Sequence, residues 1–278
     1  MINITPSDIL VVSDWHLGFP GTQIKKINQF LDELLANKPF DKLILNGDIF
    51  DLNWQFFQKI IERHQEILTK LVKINQMGTK IIYILGNHDP LTANQKNYLY
   101  SFLNKIGLND INILPAFQLK QNNSVYLVNH GHMFDTFIAE HKLASDWSDI
   151  GYRVTIAFDN FLGIGLTENI VRIFRRYTNW SNLYEKRCQR YLKKRKYQGL
   201  ILGHTHEPKI LEWIVKQKKY FKLPINLINV SEYLSLKNQP KEKVKKYFYN
   251  SGDWIEPGHC TYLVISATGQ VELKYYNT

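Results

Sequence analysis

Residues 9–16 read Ile9-Leu10-Val11-Val12-Ser13-Asp14-Trp15-His16, four aliphatic residues in a row and then a carboxylate and an imidazole two positions apart. A short, uninterrupted apolar run bounded by polar residues reads as a strand buried on both faces of a sheet. In folds built from such strands, ligands gather beyond the carboxyl ends. The same grammar recurs four times. Residues 43–45 lead into Gly47-Asp48-Ile49-Phe50-Asp51, residues 81–85 into Gly86-Asn87-His88-Asp89, residues 125–128 into His130-Gly131-His132, and residues 200–202 into Gly203-His204-Thr205-His206. Polar clusters at the ends of buried strands can converge in space although they lie far apart in the chain.

Between the first strands, Ile24, Ile27, Leu31, Leu34 and Leu35, and then Phe57, Ile60, Ile61, Ile67, Leu68 and Leu71, recur at helical spacing. The first half is therefore β-α repetition in a parallel or mixed sheet. After Ile113 the strands shorten, at 117–119 and 125–128, and a second strand-rich stretch runs from Ile210 to Tyr275. This order predicts an α/β (α+β) sandwich, two mixed β-sheets packed face to face and flanked by helices, in one domain spanning 1–278. Residues 134–198 have helical periodicity and no strand signal, which predicts a helical cap inserted between the fourth and fifth clusters. Within it, residues 154–166 are mostly apolar. Ile170, Ile173, Phe174 and Tyr177 form a stripe beside Arg172, Arg175 and Arg176, and Lys193-Lys194-Arg195-Lys196 closes the segment.

A chain of 278 residues with 44% hydrophobic content can bury one large core. Its formal charge of +10 points to anionic partners. That charge is localised: residues 141–200 hold twelve Lys/Arg against five Asp/Glu, and residues 209–246 hold ten against three. The motif-bearing first half is not its source. Two cysteines, Cys188 and Cys260, without CxxC spacing argue against a disulfide framework or a zinc knuckle and predict a reducing, cytoplasmic setting. No apolar run approaches the ~18 residues of a membrane span, and the first residues lack a basic segment followed by a long apolar one. A soluble or at most peripheral protein is expected.

Asp14, His16, Asp48, Asn87, His130, His204 and His206 offer imidazole nitrogens and carboxylate or amide oxygens without thiolate, a set suited to divalent Mn, Fe, Zn or Mg. Seven ligands exceed what one ion uses while leaving positions open, so two ions sharing a bridging carboxylate, Asp48, is the economical reading. Two ions about 3.5–4 Å apart clamp a phosphate and ionise a water near neutral pH, which makes the reaction class phosphoester or phosphoanhydride hydrolysis. Singly, each motif has a plainer reading, because Gly and Asp favour turns and a lone His is common in loops. Five such motifs in order, at five strand ends, are not explained by turn chemistry.

The constellation resembles the calcineurin-like metallophosphoesterase superfamily, whose pattern is D-x-H, G-D-x-x-D, G-N-H-D/E, H and G-H-x-H. The resemblance covers essentially the whole chain apart from the cap. It implies a first metal held by Asp14, His16, Asp48 and His206, and a second held by Asp48, Asn87, His130 and His204. His88 would face the phosphate as proton donor or charge stabiliser, with Asp51 hydrogen-bonded to it and raising its basicity. Asp89 and His132 fall outside the seven-ligand set, where a structural or outer role is expected.

Narrower features resemble the UDP-2,3-diacylglucosamine diphosphatases and their relatives. These are residues 47–52 with Trp54 after them, His130-Gly131-His132-Met133-Phe134-Asp135, residues 203–208, and Tyr249-Asn250-Ser251-Gly252-Asp253-Trp254. That group cleaves the diphosphate of an acylated UDP-sugar at the cytoplasmic membrane face, usually with Mn. The resemblance implies a phosphorylated small-molecule or lipid-linked substrate, and peripheral contact of a basic cap with an anionic membrane surface. The strict diphosphatases carry Arg in place of His88 and Asp in place of His132, so the resemblance reaches the broader group. Other readings stay open: a nucleic-acid substrate, since phosphate contacts come chiefly from Lys and Arg, small phosphodiesters or nucleotides, and a cap that only packs on the core. A non-catalytic module would be expected to have lost ligands, and none is lost.

Overall fold

The structure is a computed structural model, and it describes residues 2–51, 57–89, 93–108, 111–135, 180–217, 242–255 and 260–276. Strands β1 (Ile9–Val12), β2 (Lys42–Asn46) and β3 (Lys80–Ile84) are separated by α1 (Ile24–Ala36) and by α2 (Phe57–Arg63) with α3 (Gln65–Gln76). Helix α4 (Ala93–Lys105) then precedes β4 (Asn112–Leu114), β5 (Phe117–Gln121) and β6 (Ser124–Val128). A 3-10 turn (His132–Phe134), helix α5 (Trp180–Lys193), and strands β7 (Gly199–Leu202), β8 (Lys209–Gln217), β9 (Glu242–Asn250), β10 (Thr261–Ile265) and β11 (Val271–Tyr275) complete the described order.

The strands form two mixed sheets, a six-stranded one in the order β11-β10-β1-β2-β3-β4 and a five-stranded one in the order β5-β6-β7-β9-β8. In the first, β1 to β4 run parallel and β10 and β11 are antiparallel additions. In the second, β6, β7 and β9 run parallel, with β5 and β8 antiparallel at the edges. Side chains alternate faces along a strand. Ile9, Val11, Ile44, Ile82 and Ile84 thus meet Tyr126, Val128, Ile201 and Tyr249 between the sheets. Their neighbours Leu10, Val12, Leu43, Leu45 and Ile81 turn outward onto α1 and α3, through Ile27, Leu31, Leu34, Leu68 and Leu71. The far face of the second sheet, Leu127, Leu200, Leu202 and Phe248, is covered by Tyr184, Cys188 and Leu192 of α5. Every residue of β1 and β7 is buried because both faces are covered, which explains their unbroken apolar sequence.

The predicted sandwich is the observed fold, with local differences. The helical stretch after Phe57 is two helices meeting at His64, whose N–H donates to Ile60 O at 3.0 Å. Helix α4 was not expected. It buries Leu99 and Leu103 but exposes Tyr98 and Tyr100, so its aromatic residues blur the amphipathic period. The late strands also divide: β10 and β11 return to the first sheet while β8 and β9 join the second. Of the predicted cap, residues 136–179 lie outside the described residues, including the apolar stretch at 154–166 and the stripe of Ile170, Ile173, Phe174 and Tyr177. Trp54 lies outside them too.

Candidate metal centre

Six parallel strands, three from each sheet, carry the site beyond their carboxyl ends. β1, β2 and β3 lead to Asp14 and His16, to Asp48, and to Asn87 and His88. β6, β7 and β9 lead to His130, to His204 and His206, and to Asp253. The loops are laced to one another through the backbone: Asp14 N–H donates to Gly47 O at 3.0 Å, His16 N–H to Asp48 O at 2.9 Å, Gly203 N–H to His130 O at 2.8 Å and Trp254 N–H to Asp14 O at 3.1 Å. Ser13 Oγ and Ser251 Oγ, 2.6 Å apart, join the two sheets beside them.

Non-glycine residues with positive φ concentrate here. Asp14 (54°), His16 (47°), Asp48 (52°), His204 (69°) and His206 (59°) are left-handed, and outside this group only Asn122 is, among the described residues. Such backbone costs on the order of 1–3 kcal/mol per residue and clusters at functional sites. Two glycines make room for it. Gly47, at φ 85°, has no space for a Cβ, which would lie 2.4 Å from His130 Nδ1, and a Cβ on Gly86 would lie 2.1 Å from Asp48 Oδ1.

The side chains form three clusters in which one potential ligand atom per residue lies within 4.8 Å of the others: Asp14, His16 and His206; Asp48, His130 and His204; and His16, Asp51 and His88. His206 Nε2 is 3.2 Å from Asp14 Oδ1, and His130 Nε2 is 3.0 Å from Asp48 Oδ2. Eight buried side-chain atoms among the described residues make no well-aligned hydrogen bond: Asp14 Oδ1, His16 Nε2, Asn87 Oδ1 and His130 Nε2 from the predicted ligands, and Trp15 Nε1, Asn46 Oδ1, His132 Nδ1 and Asp253 Oδ2 around them. Buried polar atoms without a partner are rare in native proteins and call for an explanation such as an ion. The donor set of imidazole, carboxylate and amide oxygen is one that a divalent cation takes.

Each imidazole is backed on its other side. Asp51 Oδ2 accepts from His16 Nδ1 at 3.0 Å, and Asn46 O from His130 Nδ1 at 3.0 Å. Asp135 Oδ2 accepts from His204 Nε2 at 3.1 Å, and Asp253 Oδ2 lies 3.7 Å from His206 Nδ1. The three hydrogen-bonded acceptors are of the kind that orient a metal-ligating imidazole and raise its basicity, while Asp253 faces His206 as a charge beyond hydrogen-bond distance. Asp51 does more, because its Oδ1 also accepts from His88 Nδ1 at 3.3 Å, so one carboxylate holds two rings whose centroids are 4.9 Å apart.

The electrostatics follow. Burial opposes ionisation of Asp14, yet the neighbouring His130, His16 and His206 hold its carboxyl well below the usual range. Asp48 is likewise depressed, against its burial, by His130, His88 and His16. His130 is pushed up to about 9 despite its burial by Asp48 and Asp14, and His88 is raised, again against burial, by Asp48 and Asp51. His132 shows the opposite, falling to about 4 through burial and the adjacent His130 and His204.

All seven sequence-predicted ligands, Asp14, His16, Asp48, Asn87, His130, His204 and His206, stand at this confluence of strand ends, with His88 and Asp51 beside them. Asp89 lies behind the site. Its carboxylate accepts from the N–H groups of Asp48 (2.8 Å), Phe50 (3.1 Å) and Gly86 (2.8 Å) and from Tyr83 Oη (2.6 Å), pinning the second and third loops together. Burial and the nearby Asp48 raise it to about 6. Asp135 and Asp253 were not singled out from sequence, although both sat in motifs already noted. Their signal was an acid a few residues beyond a strand-end cluster.

A profile of the calcineurin-like phosphoesterase family matches residues 7–208, a span that contains all five motifs, and the chain belongs to that family. The family uses a dinuclear divalent metal centre, and the clusters described above are candidate ligand groups for one. Solved structures similar to it include an archaeal phosphodiesterase (14% identity over 96% of this chain and 99% of that one, TM-score 0.39). Others are a predicted phosphoesterase from Streptococcus pneumoniae (12% identity, 98% and 99%, TM-score 0.35) and a dimetal phosphatase from Danio rerio (11% identity, 97% and 96%, TM-score 0.46). No curated protein matches the chain in sequence. Among the described residues, no helix is long and apolar enough to cross a membrane.

Proposed function

We propose that the chain hydrolyses a phosphoester or diphosphate bond at this centre. Asp14, His16, Asp48 and His206 hold one divalent ion, and Asp48, Asn87, His130 and His204 hold the other. The observation that carries this reading is the pair of clusters Asp14–His16–His206 and Asp48–His130–His204 meeting at the strand ends, with Asp14 Oδ1, His16 Nε2, Asn87 Oδ1 and His130 Nε2 among the eight buried side-chain atoms that make no well-aligned hydrogen bond. When bound, two such ions supply Lewis acidity to a phosphoryl oxygen and lower the pKa of a water toward neutrality.

His88 is the proton donor to the leaving group. Its side chain is 24% exposed where those of His16, Asp48 and Asp51 are sealed, and Asp48 and Asp51 favour its protonated form. Its N–H also donates to Asp48 Oδ1 at 2.8 Å, which ties its position to the carboxylate that would serve both ions. Asp51 orients both His88 and His16. A positioned acid of this kind is worth roughly 10²–10⁴-fold in rate.

For the substrate we propose a lipid-linked or nucleotide-sugar diphosphate of the UDP-2,3-diacylglucosamine type, with Mn as the working metal, handled at the cytoplasmic face of a membrane. Supporting this reading, α5 and the residues after it expose Lys186, Arg190, Lys193, Lys194, Arg195 and Lys196, with Leu183 among them. Each such cation contributes about 1 kcal/mol near an anionic surface. A panel of UDP-diacylglucosamine, other nucleoside diphosphate compounds, phospholipid headgroups and single-stranded DNA, read by release of UMP or phosphate, tests the choice. Preference for the acylated UDP-sugar supports it, and preference for DNA overturns it.

A further inference from the structure

We infer that Asp135 is a positioning residue of the second metal site, holding His204 so that Nδ1 is the atom it presents to Asp48 and His130. The inference rests on the dinuclear reading above and sharpens it. His204 Nε2 and Asp135 Oδ2 are 3.1 Å apart with both side chains buried. An ionised carboxylate can only accept, so the hydrogen is on Nε2 and the lone pair is left on Nδ1. The other three imidazoles are held in the opposite sense. His16 and His130 have Nδ1 engaged, by Asp51 and Asn46 O, and His206 turns Nε2 toward Asp14. His204 is thus the ring whose partner must sit on the Nε2 side, and Asp135 supplies it.

Asp135 is itself placed by the loop that carries the other imidazole of the second site. Beyond His130 the chain turns at Gly131, where Phe134 N–H donates to Gly131 O at 2.9 Å and Asp135 N–H to His132 O at 3.1 Å. Phe134 is anchored against Tyr184 and Tyr191 of α5, and Tyr184 Oη donates to Gly131 O at 3.2 Å. At its other end, His204 is fixed by its N–H, which donates to Asp14 Oδ2 at 3.1 Å. His204 is therefore held at its backbone by Asp14 and at its ring by Asp135. In the first site His16 is held by Asp51, and the carboxylate facing His206, at 3.7 Å, is Asp253, so a change at Asp135 acts on one ion and spares the other.

The test is calorimetric titration of Co²⁺ into metal-free protein, followed in parallel by visible absorption. Wild-type protein takes up two ions per chain. Asp135→Asn and Asp135→Ala should each weaken one of the two steps by roughly 10–100-fold and leave the other unchanged. The weakened step should be the one that His204→Ala removes, and combining His204→Ala with Asp135→Asn should add nothing to that loss. Should the alanine variant fail to fold, the near-isosteric asparagine variant carries the test. Two ions bound by Asp135→Asn at wild-type affinities, or equal weakening of both steps, overturns the inference alone. Wild-type protein that binds no divalent ion overturns the dinuclear reading, and the inference with it.

Discussion

Replacing Asp51 by Asn removes one charge while keeping the side chain's shape, and the geometry predicts its effect on two rings at once. Asp51 now accepts from His16 Nδ1 at 3.0 Å and from His88 Nδ1 at 3.3 Å. Hydrogen bonds to a charged group contribute roughly 1.5–3 kcal/mol each. The shorter one to buried His16 belongs at the top of that range and the longer one to His88 at the bottom. An amide has one acceptor oxygen for two donors, and His16, with the shorter bond, should keep it. The loss at His88, roughly 1.5–2.5 kcal/mol in the transition state, corresponds to a fall in kcat of about 10–100-fold. Because Asp51 favours protonated His88, the variant's defect should deepen as pH rises above 6.5. The assay is steady-state hydrolysis at saturating Mn of two phosphodiesters, one with a nitrophenyl and one with an alkyl leaving group. The alkyl ester, which needs the proton more, should show the larger defect, and His88→Ala should show the same pattern more strongly without losing metal. Equal defects on both esters, or metal loss in His88→Ala, would refute His88 as the acid and Asp51 as its support.

Two further outcomes concern the scaffold. Asp89→Ala leaves three buried backbone N–H groups and Tyr83 Oη without their acceptor, so urea denaturation should show a loss of about 3 kcal/mol or more. A change under 1 kcal/mol would mean that Asp89 does not pin the loops. Cys188 and Cys260 are buried, and burial pushes the Cys260 thiol up to about 11 and that of Cys188 further. Neither should react with a thiol reagent at pH 8 until the chain is unfolded; rapid labelling of Cys188 in folded protein would contradict the packing of α5 on the second sheet, and of Cys260 its burial in the core outside the first sheet.

The sandwich was legible because its central strands are buried on both faces. Ile9 and Val11 pack between the sheets while Leu10 and Val12 pack on helices, and only an unbroken apolar run satisfies both. The candidate ligands were legible for a related reason, since a cluster of polar residues directly after each such strand is brought to one end of the sheets. Sheet membership was less so: β10 carries nothing local to say that it pairs with β1, where Leu263 meets Val11 from over two hundred residues away, and β11 follows β10 into that sheet. Asp135 and Asp253 were missed because their role is a distance to an imidazole, set by turns whose course no periodicity reports. Asp51 was foreseen as the partner of His88, but its second bond, to His16, appears only when the loops after β1 and β2 are laced together.

The most direct measurement is the divalent metal content of purified protein after reconstitution with Mn, by mass spectrometry of the digested sample, beside Asp48→Ala. Two ions per chain are predicted for the wild type, and for the variant loss of both ions with loss of phosphodiester hydrolysis, because Asp48 is shared. Two ions retained with full activity in Asp48→Ala would contradict the dinuclear centre.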